Sequence, residues 1–221
     1  MHWSVVVPVK RLPAAKTRLY DRSWGPVEHA ALVLALAADT VAAVVGCARV
    51  ARAVVVTDDP DAATAVRRLG AVVVADEPDA GLNPALAHGA ARAREIATAD
   101  GIAVLSSDLP ALRRDELAQA LDAAARHRLP RAFVADAAGT GTTLLTARPG
   151  TPLEPRYGTG SRLAHLASGA AELADCWPSL RRDVDTAVDL AAAAVLGLGP
   201  ATLAWVATHG AVPRASLPSC G

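Results

Sequence analysis

The sequence predicts one α/β domain built on a mainly parallel β-sheet with helices on both faces. Short runs rich in β-branched residues, mostly Val, alternate with longer segments rich in Ala and Leu along most of the 221 residues. The short runs are continuously apolar, which is typical of strands that are covered on both faces. The chain shows no internal repeat and no long linker, and its length suits a single domain spanning residues 1–221.

The larger, N-terminal part of the chain follows this alternation without a break. Strands rich in β-branched residues are predicted at residues 3–9, 53–57, 71–75, 102–106 and 132–135. Helices are predicted between them at residues 27–46, 60–69, 84–97 and 113–127. Strands that alternate with helices in this way form βαβ units, in which neighbouring strands are parallel.

After Asp136 the chain changes to segments rich in Gly, Thr and Pro. The pattern predicts further elements in the order strand 142–147, helix from Ser161, short strand 180–184, and helices 187–196 and 200–209. We expect the last ten or so residues, roughly one twentieth of the chain, to form a flexible tail.

Charge and cysteine content exclude several classes of protein. The 22 basic and 22 acidic residues give no net charge, which argues against a broad basic face for nucleic acid or an anionic membrane. The three cysteines are far apart and in no zinc-binding spacing, as expected in a reducing cytosol. The longest apolar run, residues 30–45, is too short to span a bilayer. We therefore expect a cytoplasmic protein, whose oligomeric state the sequence leaves open.

Basic residues cluster directly after the first predicted strand. The chain has only two lysines, Lys10 and Lys16, and both lie there beside Arg11 and Arg18. Ligands of open α/β sheets bind beyond the carboxyl ends of the strands, so this cluster predicts a bound anion such as a polyphosphate. The alternative is a solvated basic turn before a helix. No Walker loop and no GxGxxG motif is present, which excludes the commonest phosphate-binding fingerprints.

Aspartates follow the fourth predicted strand and lie in the segment predicted as the last strand. Asp108 comes directly after the fourth strand, and Pro110 fixes the turn that follows it. Asp183 and Asp185 are two residues apart, so on an extended strand they share one face and can reach one cation. The alternative is ordinary helix capping, by Ser106 or Asp108 in the first motif and by Asp185 or Thr186 in the second. Taken together, the two aspartate motifs favour a Mg²⁺-dependent transferase.

Two loops rich in Gly and Thr could hold a second anionic substrate. They span residues 136–143 and 156–162, and glycine lets their backbone approach an oxyanion closely. Ordinary turns explain such loops nearly as well. In the turn before the third helix, Asn83 is a candidate either for a nucleobase or for a helix cap. The histidines, His165 among them, show no spacing typical of a metal or triad site, and we expect them to be surface or satisfied residues.

These motifs resemble the CofC/FbiD family of guanylyltransferases in order and over nearly the whole chain. The resemblance is carried by the segments PVKRLPAAKTRL, GLNPAL, SSDLPAL, FVADAAGTGTTLL, YGTGSRLAHLASGA and LRRDVDTAVDL. It implies a single-domain, MobA-like nucleotidyltransferase of the GT-A type, with a mainly parallel mixed sheet flanked by helices. It also implies transfer of GMP from GTP to a small phosphorylated three-carbon acid, with release of pyrophosphate, in coenzyme F-420 biosynthesis. Bacterial members are similar to phosphoenolpyruvate guanylyltransferase, which makes enolpyruvyl-diphospho-5'-guanosine.

The resemblance also implies roles for individual residues. Phosphoenolpyruvate would contact Thr142, Gly158 and Ser161. Mg²⁺ would bind Asp108 together with Asp183 or Asp185, a choice that stays open. The GTP phosphates would face Lys16 and Arg18, with Lys10 and Arg11 nearby, and guanine would lie near Asn83; Lys16 and Asp108 would be catalytic. The chain departs from the family pattern at Ser107, where Gly is common, and in the YGTGS loop, where FGPGS or FGPDS is usual.

The sequence leaves three alternatives to this function open. The acceptor could be 2-phospho-L-lactate or 3-phosphoglycerate instead of phosphoenolpyruvate. The same fold also serves molybdenum-cofactor and sugar-phosphate nucleotidyltransferases, but those usually begin with a Gly-rich loop that this chain lacks. Finally, the protein could be a non-catalytic nucleotide-binding module. As an enzyme it would hand its product to the next enzyme of coenzyme F-420 biosynthesis.

Overall fold

Strands and helices alternate in the computed structural model, which describes residues 1–12, 19, 25–77, 79–98 and 100–209. The strands are β1 (Trp3–Pro8), β2 (Val50–Val56), β3 (Val72–Val74), β4 (Gly101–Leu105), β5 (Arg131–Ala135), β6 (Thr142–Ala147) and β7 (Ala171–Glu172). The helices are α1 (Pro26–Val45), α2 (Pro60–Arg68), α3 (Leu82–Ile96), α4 (Arg114–Arg126), α5 (Ser161–Ala167), α6 (Pro178–Arg181), α7 (Ala187–Leu196) and α8 (Pro200–His209).

The strands form one mixed sheet in the order β3-β2-β1-β4-β6-β5-β7. β1 lies parallel to both β2 and β4, whereas β6 is antiparallel to both β4 and β5. The chain first extends the sheet to one side of β1 and then returns to the other side at β4. Such a reversal of strand order opens a crevice at the carboxyl ends of β1 and β4, and open α/β folds bind their ligands in such crevices. The predicted fold class is confirmed.

Two apolar layers enclose the central strand, because successive side chains of a strand point to opposite faces. In β1, Val5 and Val7 belong to the layer formed with α1, α2 and α4, and Val6 belongs to the layer formed with α3. None of the three is exposed to solvent. This arrangement is the physical reason for the continuously apolar strands in the sequence.

Helix α1 joins the sheet to a third layer made of α7 and α8. Leu32 and Leu36 of α1 pack with Leu190 of α7 and Trp205 of α8. Asp39, which interrupts the apolar run of α1, accepts hydrogen bonds from the first backbone N–H groups of α8, at 3.0 and 2.7 Å. By length and by its mean hydropathy of 1.7, α1 could cross a membrane, but 61% of its most apolar window is buried inside the protein. We interpret α1 as a core helix.

The structure differs from the sequence prediction in two short segments. The strand predicted at 180–184 is absent, because Pro178 begins the short helix α6 and the residues after Arg181 are irregular. There the N–H of Val184 donates to the carbonyl oxygen of Asp108 and not to a neighbouring strand. The edge strand β7 has only two residues and was not predicted. The C-terminal tail predicted from the sequence lies outside the described residues.

Asp59 offers a test of how the helices after the strands are stabilised. Its carboxylate caps α2 by accepting from the N–H groups of Asp61 and Ala62 and also accepts from the N–H of Leu12. We expect Asp59→Ala to lower the free energy of unfolding by about 1–2 kcal/mol, measured by urea unfolding. The control Asp61→Ala removes an exposed first-turn carboxylate and should cost only about 0.3 kcal/mol. Equal losses in the two variants would contradict this role.

Candidate active site

A cleft of about 270 Å³ opens at the carboxyl ends of β1, β2 and β3, beside the start of α3. Its polar lining includes Lys10, Arg11, Asp58, Asp76 and Asp79. The Arg11 guanidinium lies 4.0 Å from the Asp58 carboxylate at the mouth of the cleft. The cleft therefore presents both signs of charge next to the predicted phosphate-binding loop, with apolar side chains below.

Backbone hydrogen bonds hold the loop after β1 on both sides of its basic residues. The N–H of Val9 donates to the carbonyl oxygen of Val56 at 2.9 Å, and the N–H of Leu12 donates to Asp59 at 3.0 Å. The side chains of Lys10 and Arg11 between them are exposed and line the cleft. Two other predicted phosphate contacts, Lys16 and Arg18, lie outside the described residues.

Asn83 connects the start of α3 to the loop before α5. Its Nδ2 donates to the carbonyl oxygen of Tyr157 at 2.9 Å, and the N–H of Tyr157 donates to its Oδ1 at 2.7 Å. The Tyr157 hydroxyl donates to the carbonyl oxygen of Val104 in β4, and burial raises the pKa of this phenol. Asn83 thus has a structural role at the rim of the cleft, and its contact with guanine stays a prediction.

The two acidic loops lie side by side. The N–H of Val184 donates to the carbonyl oxygen of Asp108 at 3.0 Å, which joins the two loops directly. The next residue, Leu109, donates its N–H to the buried hydroxyl of Thr40 in α1 at 3.0 Å. Asp108 and Asp183 are half-buried, whereas Asp185 is exposed. The helix after this loop is capped by Thr186, as one of the two sequence alternatives proposed.

Carboxylates are the side chains that Mg²⁺ prefers in proteins, usually one or two of them together with phosphate oxygens and water. The joined loops of Asp108 and Asp183 fit that pattern. Within the part of the chain that the structure describes, no group of three or more His, Cys, Asp and Glu side chains could hold a metal ion. The Mg²⁺ site at Asp108 with Asp183 or Asp185 therefore stays a prediction.

The first of the two Gly- and Thr-rich loops, residues 136–143, is a tight turn organised by a buried carboxylate; we call it the first acceptor loop, and residues 156–162 the second, after their predicted role. Asp136 accepts hydrogen bonds from the N–H groups of Thr140 and Gly141 at 2.9 and 2.8 Å. A Cβ atom at Gly141 would clash with the Asp136 carboxylate, so a larger residue there would displace that carboxylate. Because β6 is antiparallel, the turn places Thr142 at the same edge of the sheet as the ends of β4 and β5.

The second acceptor loop leads into α5 and contacts the first loop. Gly158 has φ 130° and Gly160 φ 71°, conformations that favour glycine. The buried Ser161 donates its N–H to the carbonyl oxygen of Gly158, and the N–H of Arg162 donates to Thr140 at 3.2 Å. The structure therefore brings the three predicted acceptor contacts into two adjoining loops.

Sequence reasoning missed the polar role of His165. Its Nδ1 lies 2.9 Å from the Thr142 hydroxyl, and its Nε2 accepts from the N–H of Arg156 at 3.0 Å. The imidazole is fully buried, as expected for a satisfied histidine. Burial, with the nearby charges of Arg131 and Arg156, lowers its pKa to about 4. The sequence signal that points to this role is the spacing of four residues between Ser161 and His165, because residues four apart lie on the same face of a helix.

The fold is similar to that of solved nucleotidyltransferases. A solved nucleotidyl transferase from Methanothermobacter is similar with a TM-score of 0.53 at 17% identity and covers 88% of this chain and 97% of its own. A cytidylyltransferase from Leptospira borgpetersenii has a TM-score of 0.54 at 12% identity and covers 94% of this chain and 93% of its own. At these identities the likeness shows the fold alone.

The family follows from sequence similarity. The family described as "Guanylyl transferase CofC like" matches residues 3–205. A protein of Thermomonospora curvata named phosphoenolpyruvate guanylyltransferase is 57% identical over 206 residues, covering 93% of this chain and 89% of that protein. One of the same name from Salinispora arenicola is 57% identical over 201 residues, covering 90% of this chain and 91% of that protein. The chain belongs to the CofC-like family of guanylyl transferases.

The depressed pKa of His165 predicts a loss of stability in acid. Its folded pKa of about 4 is below the ordinary 6.5, so between these values the unfolded chain binds the proton more readily. The contribution of the neutral ring is therefore complete above pH 6.5 and is lost as the pH falls toward 4. Urea unfolding of the wild type and of His165→Gln between pH 4 and 7 should show a steeper decline in the wild type. Parallel profiles would contradict the assignment.

Proposed function

We propose that this protein transfers GMP from GTP to phosphoenolpyruvate, giving enolpyruvyl-diphospho-5'-guanosine and pyrophosphate in coenzyme F-420 biosynthesis. Family membership and the name shared by relatives at 57% identity support the reaction. The observation that carries the proposal is the hydrogen bond between Val184 and Asp108, which joins the two acidic loops beside the acceptor turn. The loops proposed to bind anions and the acidic loop after β4 follow strand ends at the edge where ligands of open α/β sheets bind, which supports the proposal.

The nucleotide is proposed to bind in the cleft beyond β1, β2 and β3. Lys10 and Arg11 line its mouth, and Lys16 and Arg18 of the same loop are proposed to neutralise the triphosphate. The acceptor is proposed to bind across the two glycine loops, with Thr142 and Ser161 as hydrogen-bond donors. This division places GTP and acceptor on opposite sides of the acidic loops.

The acceptor phosphate is already an anion, so the reaction needs no general base. One of its oxygens attacks the α-phosphorus of GTP in line, forming a P–O bond as the bond to the bridging oxygen of the β-phosphate breaks. The electron pair of that bond leaves with pyrophosphate. The protein contributes by orienting both phosphates and by placing the charge of Lys16 near the leaving group.

A Mg²⁺ ion is the proposed cofactor, held by Asp108 together with Asp183 or Asp185. When bound, such an ion supplies positive charge to phosphate oxygens during transfer. The contribution of the chain is to hold the two acidic loops together through Val184 and to fix the residue after Asp108 on Thr40.

The proposal also covers the cellular location of the protein and its partners. We propose a cytoplasmic enzyme, because its substrates are small phosphorylated metabolites and α1 serves as a core helix. No nucleic acid or membrane partner is proposed, given the absence of net charge. The product would be handed to the next enzyme, one that breaks the phosphoanhydride bond to transfer the phosphoenolpyruvyl group and releases GMP.

An acceptor panel tests the reaction. Phosphoenolpyruvate, 2-phospho-L-lactate and 3-phosphoglycerate are each incubated with GTP or ATP, and the readouts are pyrophosphate release and the product mass. We expect release from GTP that depends on phosphoenolpyruvate, and a product of the mass of enolpyruvyl-diphospho-5'-guanosine. Preference for another acceptor would correct the substrate. GTP binding without pyrophosphate release in any mixture would favour a non-catalytic module.

Asp108 offers a test of the acidic loops. Asp108→Asn keeps the side-chain shape but removes the charge, so we expect kcat to fall by about 100-fold or more. Asp115→Asn is the matched control, since Asp115 is an exposed carboxylate in the first turn of α4. Pyrophosphate release near the wild-type rate in Asp108→Asn would overturn the assignment. The pair Asp183→Asn and Asp185→Asn, assayed against Mg²⁺ concentration, shows which of these aspartates completes the site.

A further inference from the structure

His165 lies between the two loops that are proposed to bind the acceptor. One ring nitrogen contacts the Thr142 side chain in the first loop, and the other contacts the backbone of Arg156, shortly before Gly158 in the second. The helix that carries His165 begins at Ser161. A single side chain therefore touches both loops and lies on the helix that follows them.

The hydrogen-bond partners of His165 determine its tautomer. A backbone N–H can only donate, so Nε2 must accept from Arg156 and carries no hydrogen. In a neutral ring the hydrogen then lies on Nδ1, and Nδ1 donates to the oxygen of Thr142. The pKa of about 4 keeps the ring neutral near pH 7. The Thr142 hydroxyl thus accepts from His165 and keeps its own hydrogen for another partner.

The ring is held firmly in this orientation. The Phe133 ring packs against it at a centroid distance of 5.6 Å, and the Tyr157 ring meets it edge-on at 5.3 Å. His165 is not exposed to solvent, and Thr142 is only 6% exposed. Within the described residues, no second protein partner of the Thr142 hydroxyl competes for its hydrogen. A rotation of the imidazole would break both hydrogen bonds at once.

We propose that His165 is a positioning residue that directs the hydrogen of the Thr142 hydroxyl toward the acceptor anion and keeps the second acceptor loop in register with it. The proposal rests on the proposed function, because it takes Thr142 as an acceptor contact. His165 acts through Thr142 and through the backbone of Arg156, and it does not touch the substrate. The oxygens of an anionic carboxylate or phosphate accept hydrogen bonds, so a hydroxyl whose hydrogen is not used by His165 suits such a ligand.

Two substitutions separate the two contacts. In His165→Gln the amide oxygen can reach the position of Nε2 and accept from Arg156, but the donor to Thr142 is lost. In His165→Asn the amide nitrogen lies near the position of Nδ1 and can donate to Thr142, but the contact with Arg156 is lost. Circular dichroism and thermal unfolding confirm that each variant is folded before its kinetics are compared.

A double-mutant cycle with Thr142→Val is the decisive kinetic test. Losing a hydrogen bond to a charged ligand should raise KM for phosphoenolpyruvate by about 10-fold or more in Thr142→Val. We expect a comparable rise in His165→Gln, no change in KM for GTP in either variant, and less than about a twofold further rise in the double variant. Additive effects, or an equal rise in KM for GTP, would overturn the proposal.

Nitrogen-15 NMR of the wild-type ring gives a readout that needs no variant. We expect the protonated Nδ1 and unprotonated Nε2 pattern for His165, with a shift of Nδ1 when phosphoenolpyruvate is added to the protein with GTP. The opposite tautomer, or no shift of Nδ1 with phosphoenolpyruvate, would overturn the proposal. Failure of the proposed function looks different, because the wild type would then release no pyrophosphate with phosphoenolpyruvate.

Discussion

The parallel pairing of β1 with both β2 and β4 determines where the polar loops of this protein meet. Both pairings leave the carboxyl ends of the three strands at one edge of the sheet, so the basic loop after β1 and the acidic loop after β4 become neighbours. The pairing is stable because Val5, Val6 and Val7 are buried on alternate faces by separate helical layers. The total charge of zero does not reveal this arrangement, since the 22 basic and 22 acidic residues cancel in the sum.

Helix α1 connects this edge to the third layer through two polar residues in an otherwise apolar segment. Asp39 caps α8, and the adjacent Thr40 accepts from the N–H of Leu109 while donating to Leu36 within its own helix. The residues that break the apolar pattern of the sequence are therefore the ones that attach other elements to α1. Through Thr40, the packing of the third layer and the position of the acidic loop after β4 are linked.

Much of the fold could be predicted because its main signals are local. Continuous apolar strands, Ala- and Leu-rich helices and polar residues at strand ends are all readable along the chain, and they gave the fold class and the candidate loops. Features that depend on distant partners could not be predicted. Residues 180–184 are predicted as a strand, but the N–H of Val184 donates to the loop of Asp108. Asn83 bonds to the backbone of Tyr157, which lies far away in sequence. The sequence predicts only a surface or satisfied histidine at His165, because its two hydrogen-bond partners are apparent only in three dimensions.

The antiparallel direction of β6 has a consequence for how this protein could diversify. β5 and β6 form a hairpin whose turn is closed by Asp136, so the first of the two proposed acceptor loops is a connection that crosses no other element. The proposed nucleotide side lies at crossover connections, each of which carries a core helix. Insertions or substitutions in the hairpin turn can therefore change what is recognised without disturbing a helix that supports the sheet. The hairpin turn can therefore vary during evolution, whereas the crossover connections are constrained by the packing of the helices that they carry.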